Sequence, residues 1–546
     1  MFRQAETGFF KGMNTAMSCV AILMIVASLV AGTLYTDASS TSLTQVREWL
    51  TPFLEWYYVL LVAFLLFFMV WLGTGRYKNV RLGADDEVPE FTFFSWVSML
   101  FAAGTGVGIL FWSVAQPIMQ FQDNPFVEFG SADADAAIIA MRLSFFHWGI
   151  NGWAIFSFVG LVLAYFCFRQ QQPLTIRFAL RPLLGDRVFG PVGNLIDLLA
   201  VFGTVFGIAT TLGLGVQQMN AGLERVFDIP ASTQLQLIVI GSIMLIATLS
   251  VVSGVSRGVR LLSEANFWLS IAAVLFMLLL GPTQYLVSVT VEATGDYIQN
   301  LLRMTFHTNA THRSNWQATW TVFFWGWWLA WSPFVGMFIA RISRGRTFRE
   351  FVMGVLLVPT AITIVWIGLF GGTALYQELF QNGGIIEAVY RDTSSALFVM
   401  IEGMSLGEMT PVVSTLLIVL IGTYLITSAN AGTLVITTIL SGGETDTPVP
   451  HRILWGLLLA LLTAVLLLAG GLDTLQSAVI TAALPFSIVV LGMISGLLKA
   501  LRAERYAERP GDIKLAPAEP WAVAEDVLDN DDAEIESDRA GDSARL

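Results

Sequence analysis

Asn315-Trp-Gln-Ala-Thr-Trp320-Thr-Val-Phe-Phe-Trp325-Gly-Trp-Trp328-Leu-Ala-Trp331-Ser-Pro333-Phe-Val-Gly-Met-Phe-Ile-Ala340 is the stretch whose reading decides the fold. No charge lies between Arg313 and Arg341, a gap long enough for a helix to cross the hydrocarbon core of a bilayer. Five tryptophans fall between Trp320 and Trp331. In membrane helices tryptophan gathers at the two interfaces; here it runs through the middle. At about 100° per residue, Trp320, Phe324, Trp327, Trp328 and Trp331 share one broad face, and Trp325 points away from Trp327. A bulky packing face is the plainer account of such rings. Two features argue past it: small Gly326 and Ala330 lie between them, and Pro333 deletes a helix hydrogen bond where the cluster ends. Indoles on a weakened helix at mid-membrane offer π faces, and a quaternary ammonium is the cation such faces hold.

Working outward, the 546 residues are 55% hydrophobic and 13% charged. Apolar runs of about 20 residues recur along the chain, so the class is an all-α polytopic membrane protein. Twelve transmembrane helices are predicted, at 13–34, 54–74, 92–118, 138–168, 190–222, 233–253, 262–290, 315–340, 351–371, 411–440, 451–470 and 474–499. With both termini cytoplasmic, sixteen Lys and Arg fall in inside segments before the C-terminal tail and six outside, which sets the orientation. The net charge of -12 comes largely from the tail after Tyr506 and points to no nucleic-acid partner. Cys19 and Cys167 fall inside predicted spans and are poor disulfide candidates. The first apolar run has Arg3 and Lys11 before it and no convincing cleavage site after it, so it reads as a transmembrane helix and not a signal peptide. The outside segments 291–314 and 372–410 are long enough for small surface helices. The basic segment Ser253-Gly-Val-Ser-Arg257-Gly-Val-Arg260 is amphipathic and suits the membrane surface. From Glu508 on, the acidic, aromatic-poor tail is expected to be disordered.

The third predicted span carries Phe101-Ala-Ala-Gly104-Thr105-Gly106-Val-Gly108-Ile-Leu-Phe-Trp112. Three glycines make a poor helix. Close helix packing of the small-xxx-small kind would use Gly104 and Gly108. An unwound segment would instead free N–H groups for a carboxylate and carbonyls for a cation. No Asp or Glu lies in the span's interior. Span four brings Trp148, Trp153 and Phe156, with His147 read as a hydrogen-bonded structural residue because no metal-type partner stands at i+3 or i+4. In span ten, Thr427 and Ser428 either bond back to their own helix or offer neutral oxygens to sodium. Thr204 in span five is equally open. No P-loop, zinc-protease motif or serine triad is present, so an enzyme is not expected.

Trp320 to Gly336, followed by Phe338-Ile-Ala-Arg341-Ile-Ser-Arg344-Gly-Arg-Thr347, resembles the betaine/carnitine/choline transporter family. The glycine stretch at 103–108, the span-four tryptophans and Thr427-Ser-Ala429 support the likeness, which covers roughly 10–500. It implies the leucine-transporter-type fold, with two inverted five-helix repeats at 91–290 and 315–500. Two additional helices in 1–90, an extracellular loop at 291–314 and an acidic tail at 501–546 complete the chain. By that resemblance the substrate-binding residues are Trp148, Trp153 and Trp328, with Phe156 where betaine carriers have tyrosine. Trp327, Trp331 and the stretch Gly104, Thr105, Gly106 and Gly108 line the rest of the pathway. One sodium is implied between Ala102 and Thr105 on one side and Tyr424, Thr427 and Ser428 on the other, and a second near Thr204 and Phe334. Thr105 stands in for a methionine, Ile208 for a threonine that would help the second sodium, and Gly108 for the aspartate of proton-coupled choline relatives. The resemblance therefore implies a sodium-coupled symporter of glycine betaine or dimethylsulfoniopropionate in a bacterial inner membrane. It would serve osmoprotection as a homotrimer, with no cofactor beyond the coupling Na+. Choline or carnitine uptake is the alternative within the family, and a non-transporting receptor or channel the alternative outside it.

Overall fold

This computed structural model describes residues 4–104, 106–128, 130, 133–252, 255–310 and 315–507, without side-chain detail at 37, 52–53, 101–104, 255–261 and 505–507. Thr105 and the tail from Glu508 thus lie outside the described residues, as do the side chains of Ala102, Arg257 and Arg260. In chain order the helices are α1 (Thr15–Leu34), α2 (Thr36–Thr74), α3 (Phe93–Gly104), α4 (Val107–Gln122), α5 (Ala134–Trp148), α6 (Ile150–Ala164) and α7 (Arg181–Leu184). There follow α8 (Pro191–Phe227), α9 (Thr233–Val252), α10 (Val255–Leu280), α11 (Thr283–Thr305), α12 (Phe323–Ile342) and α13 (Phe348–Phe380). The chain closes with α14 (Ile385–Arg391), α15 (Ala396–Gly403), α16 (Met409–Leu440) and α17 (Val449–Ala507).

Among the described residues, ten helical segments are long and apolar enough to cross a membrane, where the sequence reading expects twelve. The expected third span arrives as α3 and α4, of 12 and 16 residues, each too short to be counted. The expected eleventh and twelfth arrive as α17, one run whose backbone leaves helical geometry at Gly470 (φ 157°) and Gly471 (φ 60°), a conformation glycine adopts without strain. Large apolar side chains such as Leu23, Leu245 and Leu279 stand exposed on α1, α9 and α10, the surface a bilayer covers.

Two boundaries need correction. The seventh span was expected to run from 262 to 290, but α10 ends at Leu280. Gly281 and Pro282 break the chain there, and α11 begins at Thr283. That helix carries Glu292, Asp296 and Arg303 and packs against α5 and α13, so it is no membrane span. The basic segment at 254–262, expected as a separate surface helix, is instead continuous from Val255 with α10. Pro333 likewise does not break α12, which runs unbroken from Phe323 to Ile342. Proline has no N–H, so the Leu329 carbonyl loses its helical donor. The Ser332 hydroxyl supplies a replacement at 2.8 Å. The irregularity lies about three turns earlier, in a wide π-type turn over Ala318–Val322.

At the centre, α12 packs against α6, α8 and α17. Small residues set those approaches. A Cβ on Gly160 of α6 would come 3.3 Å from the Gly336 carbonyl of α12, and one on Gly207 of α8 would meet the Trp331 ring at 3.1 Å. At one end of the bundle the segment before α3 is tied to the α12–α13 turn. Leu82 N–H donates to the Arg346 carbonyl and Gly345 N–H to the Leu82 carbonyl, both at 2.8 Å. The start of α3 is thereby held beside the end of α12.

Candidate functional site

The site begins at a helix break that the sequence reading did not anticipate. Between α5 and α6 only Gly149 intervenes, and the break frees backbone groups in an apolar interior, where each must find a partner. All three that matter do. The Trp328 indole N–H donates to the His147 carbonyl at 3.0 Å, the Thr363 hydroxyl donates to the Trp148 carbonyl at 3.1 Å, and Ile150 N–H donates to the Tyr297 hydroxyl at 3.2 Å. A side chain at 149 would run into the Phe145 carbonyl at 2.4 Å and the Tyr297 hydroxyl at 2.7 Å. The broken helix is thus pinned to α11, α12 and α13 at once, and the pin to α12 is Trp328 itself.

Around that pin the rings close into a box. Trp327 and Trp328 stack with centroids 4.9 Å apart and planes 15° apart. Trp148 meets Trp328 edge-on at 5.0 Å, Phe156 meets it at 5.6 Å, and Trp153 meets Phe156 at 5.3 Å. Trp331 closes the box beside Phe156 and Trp328. Trp148, Trp153, Phe156, Trp327, Trp328 and Trp331 line one cavity with Gly106, Gly108, Ile109 and Gly152, and no ionisable side chain among the described residues lines it. Its volume is about 30 Å³, on the order of one or two waters, so admitting an onium headgroup requires the rings to part. Gly108 is needed for the fit. A Cβ there would lie 2.8 Å from the Trp327 ring and 3.1 Å from that of Trp148, so an aspartate at 108 would displace the box and not merely add a charge beside it.

The unwound segment expected in the glycine stretch falls between α3 and α4, where Gly106 is extended (φ 179°). Helix α4 therefore begins at the cavity, with early N–H groups that have no intrahelical acceptor and the positive end of its dipole. The indole N–H groups of Trp327 and Trp331 are also buried without an acceptor among the described residues. One wall of the cavity thus offers π faces, and the start of α4 at its edge offers unspent backbone donors.

On one side the box is closed by further rings. Trp112 packs against Trp320, Phe323 and Phe324, and His147 stacks on Phe324 at 4.9 Å. His147 is held by Gln116 at 2.7 Å and Thr321 at 3.1 Å, the structural role expected of it. Gln116 also accepts from the Trp148 indole at 3.0 Å. The sequence reading missed Gln116, Gly152 and Tyr297; a buried glutamine in an apolar span was the one available signal.

On the other side the box gives onto a vestibule of about 500 Å³, and Gly106 and Trp331 line both. The vestibule lining is aromatic at Phe91, Phe267, Phe334 and Phe338 and polar at Asn266, Tyr424, Thr427 and Ser428; Glu90 and Arg341 also stand in it. The residues expected to hold the first sodium are therefore split. Tyr424, Thr427 and Ser428 share the vestibule wall, while Thr105 and the Ala102 side chain lie outside the described residues. The second expected site is not assembled as such. Phe334 lines the vestibule, but Thr204 lines neither cavity; it is wholly buried, its hydroxyl without a partner among the described residues.

Comparison with known proteins bears on this geometry. The model of the betaine/carnitine/choline family of transporters matches residues 16–506. A glycine betaine transporter of Acinetobacter baylyi is 40% identical over 495 residues, which cover 90% of this chain and 73% of that protein. A probable glycine betaine transporter of Desulfitobacterium hafniense is 39% identical over 503 residues, 91% of this chain and 99% of its own length. A high-affinity choline transport protein of Escherichia coli is 38% identical over 488 residues, 89% of this chain and 71% of that protein.

Proposed function

The chain is a multi-pass membrane protein of the betaine/carnitine/choline transporter family, and from that premise we propose that it carries glycine betaine, or a close onium zwitterion such as dimethylsulfoniopropionate, into the cell by symport with Na+. The observation that carries this reading is the uncharged aromatic box of Trp148, Trp153, Phe156, Trp327, Trp328 and Trp331. A permanently charged onium group cannot shed its charge on entering a dry site, so it needs a partner that is not an ion. Indole faces supply about 2 kcal/mol or more per desolvated contact. A zwitterion is favoured over choline by the other edge of the cavity. The start of α4 offers several N–H donors, which a carboxylate accepts and a single hydroxyl does not fill.

The coupling reading rests on chemistry of the same kind. Tyr424, Thr427 and Ser428 present neutral oxygens, which suit a hard monovalent cation, and position 108 has no titratable group for a proton. The topology that goes with this reading has twelve spans in two inverted repeats, 91–290 and 315–500, with both termini cytoplasmic in the inner membrane and the vestibule open to the cytoplasm. Assembly would be as a homotrimer through the segment around Arg257 and Arg260. Uptake of labelled glycine betaine into proteoliposomes tests the whole. The expected result is saturable accumulation that follows an inward sodium gradient at fixed pH, with choline and carnitine competing more weakly than the sulfonium analogue. Equal accumulation into sodium-free vesicles would remove the coupling, and stronger competition by choline would move the substrate to the alternative.

A further inference from the structure

Asn266 on α10 is 5% exposed and lines the vestibule opposite α16. Its Nδ2 donates to the Thr427 hydroxyl at 3.3 Å, and that hydroxyl donates in turn to the Tyr424 carbonyl at 3.0 Å. One turn along α10, the Ser270 hydroxyl lies 2.8 Å from the Tyr424 hydroxyl and donates to the Asn266 carbonyl at 2.7 Å. Two polar residues on α10 therefore meet two on α16. The pairing has a remainder. Asn266 Oδ1 is buried and accepts no hydrogen bond among the described residues.

A buried amide oxygen left unpaired is costly, and an amide whose nitrogen alone is used keeps a second, unused end. The two ends have nearly the same shape, one a donor and the other an acceptor, so rotation about the last side-chain bond exchanges them in place. The Thr427 hydroxyl is the atom at issue. While an amide nitrogen donates to it and it donates to the Tyr424 carbonyl, one of its two lone pairs is taken, and the positive end of the amide N–H lies beside any ion that the other would bind. A cation at Thr427 and an amide N–H pointing at Thr427 therefore repel one another, whereas a cation there and an amide oxygen attract one another.

We propose that Asn266 is a coupling residue of the cation site: without the ion its amide nitrogen holds the Thr427 hydroxyl, and with Na+ bound the amide turns and its oxygen joins Thr427 as a ligand. The proposal rests on the sodium reading above and extends it to a third helix. Through it α10 registers the arrival of the ion, because the same side chain bridges α10 and α16 in both states by different atoms.

The test is the sodium concentration giving half-maximal uptake of labelled glycine betaine in proteoliposomes, together with betaine affinity at saturating sodium. Asn266→Leu, which removes donor and ligand, is expected to raise the half-maximal sodium about tenfold, with betaine affinity at saturating sodium held within about twofold. Asn266→Asp, which keeps an oxygen and loses the donor, is expected to lower it about fivefold, a charge replacing a dipole beside the ion. A residue that merely packed the helices together would lower betaine affinity along with sodium dependence and would not separate the two variants in sign. Half-maximal sodium unchanged in both variants overturns the proposal while leaving sodium symport in place. Sodium-independent uptake by the parent protein overturns both. Should Asn266→Leu fail to assemble, Asn266→Asp decides alone: unchanged or weaker sodium dependence refutes the assignment.

Discussion

The box and the vestibule share Gly106 and Trp331 and differ in almost everything else. The box is about 30 Å³, walled by rings from α5, α6 and α12, and without an ionisable lining residue among those described. The vestibule is about 500 Å³, lined by rings and also by hydroxyls and amides from α10 and α16. A dry, ring-lined box suits a cation that cannot be stripped of its charge and needs no hydrogen-bond partner. A polar vestibule suits water and a small ion, which must exchange one set of oxygens for another. The contrast also describes a state. Rings close the box on the Trp112 side, while the opposite side gives onto open volume, the arrangement of a pathway accessible from one face at a time. Under the reading proposed above, substrate recognition falls to α5, α6 and α12 and ion coupling to α10 and α16, so each is open to perturbation apart from the other.

The largest expected effect is at the box. Trp328 stacks on Trp327, faces Trp148 and Phe156, and holds the broken α5–α6 corner through the His147 carbonyl. Trp328→Ala is expected to cost about 2 kcal/mol or more of substrate binding, roughly thirtyfold in affinity. Trp328→Phe should lose less, keeping a π face but not the indole donor. Equilibrium binding of labelled betaine to the purified protein measures both, and parent-like affinity in Trp328→Ala would sink the assignment of the box. The vestibule should respond differently. Thr427→Ala combined with Ser428→Ala is expected to weaken sodium dependence about tenfold, while betaine affinity at saturating sodium falls by less. If the double variant and Trp328→Ala lowered binding and sodium dependence in the same proportion, the division between the two regions would be lost.

Much of this division is legible in the chain itself, and the residues show why the rest is not. The tryptophan run and the glycine stretch announce themselves because both violate what a plain membrane helix needs, and six of the rings named from sequence line one cavity. The break at Gly149 is silent in the sequence. A lone glycine between two apolar runs is ordinary, and what makes it a corner is the set of partners from α11, α12 and α13 that take up the freed backbone groups. Pro333 misleads in the opposite sense, since its deleted hydrogen bond is repaired by the neighbouring Ser332. The end of the seventh span was misplaced because hydropathy continues past Gly281-Pro282 into an amphipathic helix. Asn266 drew no notice because an isolated amide has no periodicity; only the approach of α16 gives it a partner.

The smallest expected effect on binding comes from the tryptophan that faces the other way. Periodicity puts Trp325 off the face of Trp327 and Trp328, and by itself that would suggest a lipid-facing ring that leucine could replace. The packing is otherwise. Trp325 is 1% exposed and lies edge-on to Phe146 at 5.3 Å and to His147 at 5.8 Å. Leucine would leave an unfilled space behind the very residues that seal the box, whereas phenylalanine keeps an aromatic edge against both neighbours. Trp325→Phe is therefore expected to cost about 1–3 kcal/mol of stability by loss of buried ring volume yet to leave betaine affinity within about twofold, because no lining atom of the cavity is removed. Thermal unfolding in detergent and equilibrium binding on one preparation separate the two quantities. A tenfold loss of affinity without a drop in stability would mean that the ring on the far side of α12 belongs to the recognition site, and that the box extends through the helix to Phe146.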